Sequence, residues 1–224
     1  MAKLNIADIR LNLPNFDKDF SINIFREIQD RIKRRSANII DRIRSRVRDT
    51  VRFKIENSQE YLAVTNGILR GELGIPDVGS IMRITDIWVN NIEVTFTQTA
   101  NSFGMFKIGI IQSDYSDVLS SPDASFDYVS GYNNPYGVLR SGTIEWLKWL
   151  LLEGTNVLVT SYDFVPSGKG RTGMGTMVYS KTGSWTVPPE YAGIASDNFV
   201  LRALYDIDET FNVVIRQEIT RGLE

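Results

Sequence analysis

The sequence predicts an α+β fold: a long N-terminal amphipathic helix packed on a mostly antiparallel sheet, with additional short helices and a C-terminal helix. Three observations predict it. From about Ser21, the residues Phe25, Ile28, Ile32, Ile39, Ile43 and Val47 recur at three- and four-residue steps, the period of a helix with one apolar face. At residues 91–99 the pattern changes to alternation, with Ile92, Val94 and Phe96 on one side and Glu93, Thr95 and Thr97 on the other, as in a half-buried strand. The order of elements is helix, strands, helix, strands, helix, which separates α from β instead of alternating them as a doubly wound fold does.

Taken in order, residues 1–20 contain Pro14 and no helical period, and read as an extended arm ordered by a partner. Residues 21–224 read as a single domain. Its first helix carries Arg26, Arg31, Arg34, Arg35, Arg42, Arg46 and Arg48 behind the apolar stripe. "SQEYLAVTNGILRGELG" reads as a short second helix, capped by Ser58 and closed by Gly74, with Pro76 barring continuation. Ile81, Ile84 and Ile87 mark a third helix near residues 78–90. "NIEVTFTQT" and "GMFKIGIIQS" form an antiparallel strand pair. Residues 114–142 are rich in Ser, Asp, Asn, Pro, Gly and Tyr and read as a long exposed loop, a length usually tied to function or a partner. "GTIEWLKWLLLEG" is apolar round nearly its whole circumference and reads as a buried helix. "NVLVTSYDFVP" and "GTMVYSK" form a hairpin across a Gly-rich turn, and "SWTVPPEYAG" is a Pro-broken excursion. A final helix, capped by Ser196 or Asp197, contains Phe199, Leu201 and Leu204 and runs to about Ile219, with room for a break.

Composition narrows the chemistry. The chain has 224 residues, 42% of them apolar, with no Cys and no His. Disulfides, thiolate catalysis, Ser-His-Asp and Cys-His sites and His-rich metal centres are excluded. No apolar run approaches the ~18 residues of a membrane span, and the N-terminus has no secretory pattern; a soluble intracellular protein is expected. Net charge is −2, yet residues 26–54 carry +7 and the remainder −9. Such asymmetry suits nucleic acid or an acidic protein neighbour.

Candidate sites follow. "GKGRTG", residues 168–173, matches Gly-x-Gly-x-x-Gly, but a strand follows where a dinucleotide site needs a helix; it reads as a hairpin tip, whose Lys169 and Arg171 suit a phosphate or an acidic partner. Asp114, Asp117, Asp123 and Asp127 match no calcium-loop spacing and read as solvated loop charges. No catalytic residue, cofactor or metal ligand is expected. The interface candidates are Arg42 and Arg46 on the basic helix, Lys169 and Arg171 at the tip, Tyr132 and Tyr136 in the long loop, and Arg70 and Glu72 in the Gly-rich stretch. A nucleic-acid-associated protein using the Arg-rich helix 26–54 is the alternative reading.

Three segments, in their order, resemble a family: Thr65-Asn66-Gly67-Ile68-Leu69-Arg70, then Glu153-Gly154-Thr155, then Asn198-Phe199-Val200-Leu201-Arg202-Ala203. Together with "WTVPPEYAGIASDNFVLRAL", they are similar to the tail-completion, or neck, proteins of long-tailed bacteriophages. The resemblance implies a non-enzymatic structural virion protein, a homo-oligomer forming a hexameric ring between the head connector or adaptor and the tail. DNA would pass through its lumen without sequence-specific binding, and no membrane would be involved. In such a ring the glycines at 67, 71 and 74 let a helix approach the sheet closely, with Arg70 and Glu72 turned to the neighbouring subunit.

Overall fold

A computed structural model describes residues 18–98, 105–109, 114–130, 140–170 and 172–223. The fold is α+β. It comprises helices α1 (Lys18–Glu56), α2 (Gln59–Thr65), α3 (Ile68–Leu73), α4 (Val78–Asn90), α5 (Ser116–Leu119), α6 (Trp146–Leu151), α7 (Phe199–Ala203) and α8 (Ile207–Leu223). The strands are β1 (Glu93–Thr97), β2 (Met105–Gly109), β3 (Phe126–Ser130), β4 (Arg140–Ile144), β5 (Val159–Val165) and β6 (Thr176–Trp185). Every described pairing is antiparallel, in three two-stranded sheets, β1–β2, β3–β4 and β5–β6.

The chain forms two compact units, each drawn from separate stretches. The first holds the described residues of Met1–Arg52, Trp88–Ser113 and Asp206–Glu224. Here Ile32, Ile39, Ile43, Val47 and Val51 of α1 are buried, as their spacing requires, and Phe211, Val214, Ile215 and Ile219 of α8 are buried too. Gly222 marks where α8 meets α1: a Cβ there would lie 2.6 Å from Ile39 Cγ1. In β1–β2 the alternation is realised, with Val94, Phe106 and Ile108 buried and Phe96 packed on Phe106 at 4.7 Å.

The second unit holds Phe53–Ile87 and the described residues of Asp114–Tyr205. Its core gathers Leu69, Leu73 and Ile75, Ile81 and Ile84 of α4, and Trp146, Leu147, Leu150 and Leu151 of α6. The three glycines near residue 70 have distinct roles. Gly67 is the N-cap of α3, and a side chain there would strike the Ala63 backbone at 2.8 Å. Gly71 brings α3 against the approach to β6, where an added Cβ would stand 2.7 Å from the Met174 carbonyl oxygen. Gly74 ends α3 in the left-handed conformation, φ 72°, which costs Gly little.

Four local expectations are corrected. The stretch 58–74 is two helices, because the chain turns extended at Gly67 (ψ 178°). The stretch 114–142, read as a long loop, holds among its described residues α5, a 3-10 turn at Pro122–Ala124, β3 and the first residues of β4. α6 is shorter than the apolar pattern suggests, because residues up to Ile144 pair with β3 as β4. The final helix is capped by Asn198, not by Ser196 or Asp197, and the break for which the sequence left room falls at Asp206, φ 63°, dividing it into α7 and α8. The first helix starts at Lys18, within the segment 1–20 read as an arm; residues 1–17 lie outside the described ones.

Candidate functional site

In the first unit the arginines of α1 are largely engaged within the chain. Glu218 of α8, 1% exposed, sits among three of them: Arg42 Nε lies 3.1 Å from its Oε2, Arg46 Nη1 is 3.0 Å from Oε1, and Arg221 Nη1 is 3.2 Å from Oε1. The Arg42 contact is an ion pair without hydrogen-bond geometry, since Oε2 receives no hydrogen bond. Arg46 also donates to Gln217 Oε1 at 2.7 Å, and Arg35 donates to the Gly222 carbonyl at 2.7 Å. Arg48 donates to the Asn90 carbonyl, Arg31 and Arg34 pair with Glu27, and Arg44 with Asp41. Arg42 and Arg46, expected to face an acidic neighbour, therefore already meet an acid of their own chain. Sequence inspection missed Glu218. Its signal was a lone acid inside the apolar repeat of α8, between Ile215 and Ile219.

In the second unit, Arg70 is likewise turned inward on its own turn. Its Nε donates to the Ile75 carbonyl at 3.2 Å and its Nη2 to the Pro76 carbonyl at 2.9 Å, so it fastens the chain after α3. Arg83 binds Asp123 through two bonds of 2.9 and 2.7 Å and reaches Asp77 at 3.2 Å. That pairing is the chief reason the Asp123 carboxyl is held below its usual range. Asp114 accepts from the Ser116 N–H and hydroxyl, and Asp127 accepts from Thr143. These acids, read as solvated loop charges, are exposed or half-buried, and they also brace turns and strands. Among the described residues no group of three or more His, Cys, Asp or Glu is placed to hold a metal ion. No helix of the described residues is long and apolar enough to cross a membrane.

Glu72 is the interface candidate with an unusual setting. It lies on a cleft of about 580 Å³ bounded by α3, the end of β4, α6 and the β5–β6 hairpin. Its Oε2 is shut off from solvent and accepts no hydrogen bond. Burial raises the pKa of this carboxyl above the usual range; the indole N–H of Trp185 donates to it and opposes the shift, and Glu190 adds to it. Trp149, which lines the cleft, stacks at a tilt on Trp185 with ring centroids 6.0 Å apart. Beside them β5 carries an irregularity between Thr160 and Tyr162, and the residue it sets out of register, Ser161, has φ 64°. Gly170 and Gly175 fold the hairpin tip onto itself: a Cβ on Gly170 would fall 1.9 Å from the Gly175 carbonyl oxygen. "GKGRTG" is thus a hairpin tip, with a strand after it. Lys169 is exposed there. Arg171, Tyr132 and Tyr136 lie outside the described residues.

No characterised protein family, curated protein or solved structure matches the chain.

Proposed function

We propose that the chain is a structural virion subunit of a long-tailed phage neck, forming a ring that joins the head connector to the tail. The ordered resemblance of residues 65–70, 153–155 and 198–203 to neck proteins motivates this reading. The structural observation that carries it is a set of large apolar side chains left on the surface of the second unit's helical segment. Phe53 is 66% exposed, Leu62 48%, Ile68 48% and Met82 53%. They stand on four successive helices, and where such side chains join into one patch the patch favours contact with another protein chain. The role is mechanical, with no reaction and no cofactor.

The alternative, nucleic-acid binding through the Arg-rich helix, is weakened by the engagement of Arg31, Arg34, Arg35, Arg42, Arg44, Arg46 and Arg48 within the chain. A guanidinium already paired with a carboxylate yields less on meeting a phosphate.

Sedimentation and negative-stain imaging of the full chain, alone and with head connector, test the proposal. A closed ring, or a ring formed on the connector, is the expected result. A monomer at tens of micromolar that leaves the connector unchanged would overturn it. Retention of duplex DNA at physiological salt, with a slope of roughly −0.9 per phosphate contact in a log–log salt series, would favour the alternative.

A further inference from the structure

We infer that the cleft beside α3 is a binding site for an organic cation, an ammonium or guanidinium carried on an apolar body. Its volume, about 580 Å³, falls in the range of small-ligand sites, roughly 300–1,000 Å³. The lining supplies the matching chemistry. Leu73, Trp149, Leu158, Tyr162 and Met177 give apolar and aromatic wall, and Glu72 is the single charged side chain among the described lining residues. A negative charge in a wall of low polarity attracts cations more strongly than one in water, and aromatic faces add to that attraction.

The site is also built. Glu72 is held by the Trp185 indole with its Oε2 shut off from solvent, so its charge acts on the cleft through space, where low polarity weakens it least. Gly71, a lining residue, permits the close approach of α3 to Met174 that fixes Glu72 against the hairpin. The out-of-register Ser161 interrupts β5 between Thr160 and Tyr162, both of which line the cleft; such interruptions commonly re-aim side chains beside functional sites. This inference does not depend on the ring: the cleft lies wholly within one unit.

The cation has two possible sources, a free small molecule or a basic side chain of a second copy, and the experiment separates them. Full-length protein is titrated with N-butylguanidinium, butylammonium, butanol and butyrate, following tryptophan fluorescence and heat. Saturable binding of the two cations, at least tenfold tighter than butanol or butyrate, is expected. Glu72→Gln, which keeps the shape and removes the charge, should weaken the cations at least tenfold and leave butanol unchanged. Because charge is varied on the probe as well as on the protein, a folding defect in the variant does not decide the outcome. Equal affinity for cationic and neutral probes, or no binding of any probe, would overturn the inference. If the wild type self-associates, and butylguanidinium and Glu72→Gln each disperse it, the source is a second copy. If self-association ignores both while the probes bind, the source is a free cation. A chain that forms rings but binds no cation would defeat this inference and leave the neck reading standing.

Discussion

Asn198 shows how much one buried polar residue can carry. It is fully buried, its Oδ1 accepts from the Leu201 N–H at 3.3 Å, and its Nδ2 donates to the Tyr115 hydroxyl at 2.6 Å and the Ile194 carbonyl at 3.1 Å. Asn198→Ala removes a helix cap, about 1 kcal/mol, and leaves the Tyr115 hydroxyl and the Ile194 carbonyl without that donor, about 1–3 kcal/mol more. A urea unfolding series should show a loss of about 2–4 kcal/mol; a midpoint equal to wild type would contradict the network. Asp123 gives a pH signature. Its folded pKa is depressed, chiefly by Arg83, from an ordinary value near 3.8. The pairing therefore stabilises the fold above that value and ceases to do so as pH falls through the lower, folded one. Asp123→Asn should lower the urea midpoint at pH 7, and the gap to wild type should close towards pH 2. A gap that persists at pH 2 would mean the pairing is not what Asp123 contributes.

Among the elements, the contact of α8 with α1 rests on close packing and on one buried carboxylate. Ile39 is fully buried and would meet any side chain added at Gly222. Ile39→Asp should cost several kcal/mol, on the order of 3–5, because an unpaired carboxylate replaces packed aliphatic surface. Soluble, cooperatively folding Ile39→Asp protein would show that the α1 stripe is not a core. Glu218→Ala should cost about 2–3 kcal/mol, below the ~3–5 typical of a broken buried pair, because its three arginine partners remain partly solvated. Reversing Arg42 and Arg46 to Glu would set two further carboxylates against Glu218, so it would test folding before it tested any partner. In the second unit, Gly71→Ala drives a methyl into the Met174 carbonyl. An overpacking cost of about 1–3 kcal/mol is expected in thermal or urea unfolding, and stability unchanged from wild type would mean that α3 and the hairpin can separate freely.

For the whole molecule, the proposed ring makes a prediction that folding alone does not. Leu62→Glu and Met82→Glu alter side chains already about half exposed, so each should shift stability by no more than about 0.5 kcal/mol. Within a subunit contact, the same changes should disperse the assembly in sedimentation velocity. Folded variants that assemble as well as wild type would remove Leu62 and Met82 from any interface.

Local signals determined much of this protein. The α+β class, the stripe of α1, the alternation of β1 and the Gly74 stop are legible because helix and strand periods and left-handed glycine are properties of neighbouring residues. The Ser58 cap is legible for the same reason: its hydroxyl accepts from the Tyr61 N–H three residues on. Other features follow from residues distant in sequence, and only the tertiary structure decided them. Arg46 and Glu218 are 172 positions apart, Arg83 and Asp123 are 40. No period in the sequence states that a basic helix will spend its charge on a carboxylate from the far end of the chain. The division of the strands into three separate pairs, and the cleft that isolates Glu72 against Trp185, likewise depend on which surfaces meet. The charge pattern showed that the basic helix needed an acidic partner; the physical reason that partner stayed hidden is that pairing is set by proximity in space, which the linear order does not encode.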